Sequence, residues 1–196
     1  MSPSGPLAGR SIVVTRPQAQ AAPLVEAITA AGGRPLIFPL LEISPAVDGG
    51  ALDAAAAALS SYTLVVFISP NAVAHALPTI LALGPWPAGV VPAAVGPGTV
   101  KALAAQGVTG CLMPSERFDS EALLALPELE ASRLSGRKVL ILRGDGGREL
   151  LADTLKERGA AVDCVTCYRR AAPSGDTAPL LVAWRAGQLD ALTVSS

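Results

Sequence analysis

Short β-branched runs alternate along the chain with Ala- and Leu-rich stretches of helical spacing. That alternation predicts an α/β fold with parallel strands. Strands are expected at Ser11–Thr15, Pro35–Phe38, Leu64–Ile68, Val91–Val95, Lys138–Leu142, Val162–Tyr168 and Ala191–Val194. Helices are expected at Ala19–Ala31, Leu52–Leu59, Ala72–Leu83, Thr99–Gln106, Ser120–Leu126, Arg148–Arg158 and Thr177–Ala186. Pro78 should kink or shorten the third helix. Gly32 and Gly159 stand where helix-ending glycines belong. Leu41–Gly50 and Arg170–Asp176, rich in Pro, Ser and Gly, read as linkers.

The pattern repeats. Gly9-Arg10-Ser11-Ile12-Val13-Val14-Thr15-Arg16 has a counterpart in Gly136-Arg137-Lys138-Val139-Leu140-Ile141-Leu142-Arg143. At the same offset Leu24, Ile28 and Gly32 map to Leu151, Leu155 and Gly159. At nearly that offset Leu64–Ser69 maps to Asp190–Ser195. Two matches in order point to an internal duplication. The first copy continues beyond its Ser through further helices and a strand. The duplication therefore predicts that the C-terminal part of the first domain is missing after Ser196.

Composition narrows the chemistry. The 196 residues are 51% apolar, enough for a sizeable core, with a formal net charge of −1. No basic excess points to nucleic acid. No apolar run reaches membrane-spanning length, and Met1–Arg10 lacks an apolar signal core. A soluble cytoplasmic protein is expected. Three cysteines do not make a disulfide framework. Cys164 and Cys167 lie three apart on a strand and should face opposite sides; a redox pair would sit at a helix N-terminus, and zinc would need two more ligands.

Catalytic motifs are scarce in the chain. The single histidine, His75, cannot build a triad or a metal cluster without unusual partners. The Walker pattern is absent, and both Gly144-Asp145-Gly146 and Gly96-Pro97-Gly98 lack the third glycine of a dinucleotide turn. What remains is a set of strand-to-helix turns: Thr15-Arg16-Pro17, Ser69-Pro70-Asn71, Gly96-Pro97-Gly98-Thr99, Arg143-Gly144-Asp145-Gly146 and Ser195-Ser196. In a parallel sheet these share the carboxyl edge, where α/β proteins bind ligands. Helix N-terminal amides there attract carboxylate or phosphate. Capping is the alternative role for each hydroxyl. Arg16 and Arg143 add charge-assisted bonds or pair with nearby acids. No metal and no cofactor is expected.

The ordered set Val14-Thr15-Arg16-Pro17, Phe67-Ile68-Ser69-Pro70-Asn71-Ala72-Val73, Ala94-Val95-Gly96-Pro97-Gly98-Thr99, Phe118-Asp119-Ser120-Glu121-Ala122-Leu123-Leu124, Leu142-Arg143-Gly144, Arg148-Glu149-Leu150-Leu151 and Tyr168-Arg169-Arg170 resembles the uroporphyrinogen-III synthase family. Leu192–Ser196 resembles the start of that family's second Ser-ended strand. The resemblance implies two parallel-sheet α/β domains joined by a pair of extended linkers. The first would be residues 1–38 with 173–196, discontinuous and incomplete; the second would be 39–172, including both linkers. It implies a lyase that closes the linear tetrapyrrole hydroxymethylbilane to uroporphyrinogen III with ring D inverted, without a cofactor and as a monomer. Tyr168 matches the family's proposed proton donor. Ser69, Thr99 and Ser195 match cleft-facing turn positions, and Arg16, Asn71, Gly96, Arg143 and Gly144 complete the expected substrate-binding set. The alternative is a hinged two-lobe binding protein for a small polyacid, without catalysis.

Overall fold

The computed structural model describes residues 5–147, 149–173 and 175–194. In chain order the elements are β1 (Ser11–Val14), α1 (Gln18–Ala30), β2 (Arg34–Ile37), β3 (Glu42–Pro45), α2 (Gly50–Ala57), β4 (Leu64–Phe67), α3 (Pro70–Ala82), β5 (Val91–Ala94), α4 (Pro97–Ala104), α5 (Ser120–Leu124), α6 (Ala131–Leu134), β6 (Lys138–Gly144), α7 (Leu150–Glu157), β7 (Ala161–Ala171), α8 (Ala178–Arg185) and β8 (Ala191–Leu192). Single 3-10 turns lie at Leu59–Ser61 and Pro127–Leu129. The chain divides into two compact units, Met1–Ser44 with Arg170–Ser196, and Pro45–Arg169.

The first unit holds a three-stranded sheet in the order β2-β1-β8. Both pairings are parallel, with Ile12 opposite Pro35 on one side and Ala191 on the other. Its core is small: Ile12, Val14, Ala21 and Ile28, with Leu7, Leu24 and Val25 against them. Asp190 fixes the start of β8 by accepting from the Ser11 N–H at 2.8 Å and from Arg10 at 2.5 Å. These donors, the Ser11 amide first, hold its carboxyl below the usual range.

The second unit carries most of the core. The five-stranded sheet runs β3-β7-β6-β4-β5, and β4 pairs in parallel with both β5 and β6. β4 reads Leu-Val-Val-Phe and is buried throughout, as a central strand covered on both faces requires. Leu64, Val66, Val139 and Ile141 meet Leu123, Leu124, Leu151 and Leu155 of α5 and α7. Val65, Phe67, Leu140 and Leu142 alternate with them and turn to the other face, where α3 packs on β4 and β6 between α2 and α4.

Four expectations need correction. Glu42–Pro45, inside the first supposed linker, is a strand of the larger sheet. β7 continues to Ala171, into the second. α3 is not shortened by Pro78 but runs on to Ala82. Proline there removes the hydrogen bond to the Ala74 carbonyl; Ala74 and Pro78 are both exposed, so water can satisfy that carbonyl. The helix expected from Arg148 starts at Leu150. Gly32 (φ 83°) and Gly159 (φ 85°) do adopt the left-handed backbone that closes α1 and α7.

Candidate functional site

β4 and β6 lie side by side, yet the chain leaves them in opposite directions. From β4 it crosses to β5 on one side, and from β6 to β7 on the other. Such a reversal opens a crevice at the carboxyl ends of the two strands, the usual ligand position of an open parallel sheet. Ser69 follows β4 and Gly144 ends β6, so both stand at this place.

Ser69 is extended (φ −161°, ψ 162°), caps α3, and accepts from the Ala72 N–H at 3.1 Å. Its Oγ also lies 3.0 Å from the Tyr168 hydroxyl. Tyr168 is 0% exposed, and its ring stacks on His75 of α3 with centroids 5.9 Å apart. Gly144 is paired with Tyr168 across the β6–β7 ladder. Ser69, Gly144 and Tyr168, far apart in sequence, therefore meet at the crevice, with Ser69 only half-buried.

The other expected residues are distributed more widely. Asn71 is half-buried in the first turn of α3. Gly96 is the cap residue of α4, with no side-chain bond to that helix end, and Thr99 is buried on α4. Arg143, 20% exposed, is ion-paired with Glu149 at 2.9 Å, the local partner that was the alternative to ligand binding. Arg16 is half-buried after β1 in the first unit. Thr15 does not cap α1; its Oγ1 donates to the Thr193 carbonyl at 2.6 Å. The α1 N-terminus, at Pro17, has no side-chain cap and opens on a cavity of 570 Å³ within the first unit, lined by Pro17, Gln18, Leu41, Glu42 and Pro173. Ser195 lies outside the described residues. Among the described residues no group of three or more His, Cys, Asp or Glu is arranged to hold a metal, and no helix is long and apolar enough to cross a membrane.

Sequence reasoning missed two partners: His75, which stacks on Tyr168, and Glu149, which pairs with Arg143. The available signal for His75 was its place on α3, in the second turn after the Ser69 cap. Glu149 gave no signal beyond its closeness to Arg143 in sequence.

The fold and this switch point define an α/β protein whose hydroxyl-bearing turns gather at the carboxyl edge of a parallel sheet. A family model described as uroporphyrinogen-III synthase HemD matches residues 22–196. The uroporphyrinogen-III synthase of Escherichia coli (strain K12) is 39% identical over 189 residues, covering 95% of this chain and 75% of that protein. The Proteus mirabilis protein of the same name is 32% identical over 183 residues, covering 93% and 91%. A crystal structure of a mutant uroporphyrinogen III synthase from the extremely thermophilic bacterium Thermus thermophilus superposes with a TM-score of 0.61 at 20% identity, covering 93% of this chain and 71% of that one. At that identity it speaks for the two-domain fold. The chain belongs to the uroporphyrinogen-III synthase family. Nothing favours the binding protein without catalysis.

Proposed function

We propose that this chain closes hydroxymethylbilane, a linear tetrapyrrole with eight carboxylates, to uroporphyrinogen III. Family membership supports the activity, and the Tyr168–Ser69 hydroxyl pair at the switch-point crevice is the observation that carries the mechanism. The C–O bond of the hydroxymethyl group breaks, the hydroxyl leaves as water, and an electrophilic azafulvene remains. The substituted carbon of ring D attacks it to give a spiro intermediate, which fragments and recloses with ring D inverted. Unguided closure gives the uninverted isomer, so the main task is to hold the chain folded and exclude water.

Tyr168 supplies the proton that makes hydroxyl a leaving group. Tyr168 has no accessible surface and Ser69 does, so Ser69 meets the ligand and passes the proton on. The proton lost when the ring rearomatises returns to the tyrosine. Arg16 and Arg143 receive carboxylates through charge-assisted bonds, Arg143 after exchanging its Glu149 partner. Amides at the starts of α1, α3 and α4, with Asn71, Gly96, Thr99 and Ser195, receive others. On this reading residues 1–38 with 173–196 form the first domain and residues 39–172 the second, which includes both connections, the extended segments that hold β3 and the end of β7. The enzyme works as a cytoplasmic monomer; Cys111, Cys164 and Cys167 are free thiols, which suits a reducing compartment.

Freshly generated hydroxymethylbilane incubated with the chain should yield the III isomer on chromatographic separation. Isomer I alone, as without enzyme, would sink the proposal. Tyr168→Phe should lower kcat by about 10²- to 10⁴-fold while costing only about 1 kcal/mol of stability. An unchanged rate removes Tyr168 from the mechanism.

A further inference from the structure

The backbone does not explain why residue 144 is glycine. Gly144 is not among the glycines with positive φ, so no left-handed turn demands it. Space does. A Cβ at this position would fall 2.6 Å from Cζ of Tyr168, 2.7 Å from Cε2 and 2.9 Å from the hydroxyl oxygen. Carbon atoms in contact settle about 3.5–4.0 Å apart, so any side chain here displaces the phenol end of Tyr168.

The β6–β7 ladder aims the ring at this spot. Arg143 is paired with Thr166, but Gly144 is paired with Tyr168, and Cys167 is passed over. The alternation of β7 breaks there: Cys167 and Tyr168 are adjacent, and both are buried. A bulge of this kind re-aims a side chain. The ring is then held by the stacked His75 and by the Ser69 hydroxyl.

We infer that Gly144 is a positioning residue for the reaction. Its missing side chain, together with the bulge at Cys167, sets the Tyr168 hydroxyl on Ser69. This rests on the reading of Tyr168 as the proton source. It differs from a glycine whose amide binds substrate, because Gly144→Ala keeps the N–H and moves only the phenol.

The test pairs kinetics with a spectroscopic marker. The chain has two tyrosines, so protein labelled with 3-fluorotyrosine gives one ¹⁹F signal for Tyr168 and one for Tyr62 as internal control. Gly144→Ala should shift the Tyr168 signal and leave that of Tyr62 in place. It should lower kcat by about tenfold or more, a part of the loss expected for an acid catalyst, with KM changed less than about twofold because substrate binding is untouched. In a Tyr168→Phe background it should lower kcat no further, since the two changes act on one group. An unmoved Tyr168 signal, or losses that multiply in the double variant, overturns the inference. Should Gly144→Ala not fold, Gly144→Ala/Tyr168→Leu is compared with Tyr168→Leu. Leucine lacks the ring carbon and hydroxyl that the new methyl strikes, so equal Tm is expected; a lower Tm in the double variant overturns the inference. If the wild-type chain makes no III isomer, the proposed activity fails, whereas the ¹⁹F comparison still decides where Gly144 puts the ring.

Discussion

Tyr62, the second tyrosine, is buried just before β4 and donates its hydroxyl to Asp163 Oδ2 at 2.7 Å. The Lys138 ammonium lies 5.2 Å from its ring centroid. Burial, then the bond to Asp163 and its negative charge, push the phenol up to about 12. An unfolded tyrosine titrates near 10. Because the folded value is the higher one, the stability from this bond is fully present below about pH 10 and is lost as pH rises through about 12. Tyr62→Phe should cost roughly 1–3 kcal/mol at pH 7. It should also lose less stability than wild type across that alkaline window. Urea unfolding at stepped pH measures both, and an identical alkaline decline in the two proteins refutes the assignment. At this scale the sequence was a good guide where one strand's geometry decides: Cys164 is exposed and Cys167 buried. Nothing in it showed that Tyr62 would find Asp163, because that contact joins distant parts of the chain.

Helix ends show how elements are held. α5 is five residues long, too short to persist by itself. Asp119 caps its start, accepting from the Ala122 N–H at 2.8 Å. At its other end Arg158, just after α7, donates to the carbonyls of Leu124 and Leu129, both at 2.7 Å. Arg158→Met keeps most of the apolar stem and removes both bonds. It should lower stability by about 1–3 kcal/mol, read from the urea midpoint at unchanged m-value; no loss would show that water serves those carbonyls as well. Elements with several turns or a full apolar run, such as α1, α3, β4 and β6, were legible in the sequence. Glu42–Pro45, Ala131–Leu134 and Pro127–Leu129 were not, because a few residues carry no measurable period.

Across the whole molecule, burial is uneven. β4 and β6 are central and buried, whereas α8 has no buried residue, Trp184 on it is 70% exposed, and β8 has two residues. Amide exchange followed by mass spectrometry should therefore be slowest in β4 and β6 and fastest in α8 and β8; the reverse order would contradict this distribution of burial. The same contrast separates what could be read early from what could not. The sequence by itself determined the α/β class, most strands and helices, the repeated strand–Arg–helix unit and the hydroxyl-rich turns. Each is a local pattern of apolar spacing, capping and punctuation, written in adjacent residues. Only the tertiary structure decided that Ser69, His75, Gly144 and Tyr168 meet, and that Arg143 turns to Glu149. The meeting of Ser69, His75, Gly144 and Tyr168 depends on which strands become neighbours and on one skipped residue in the β6–β7 register. Pairing and register are settled by packing across the sheet, where the lost alternation at Cys167 and Tyr168 is offset by a ring that fits only over a glycine.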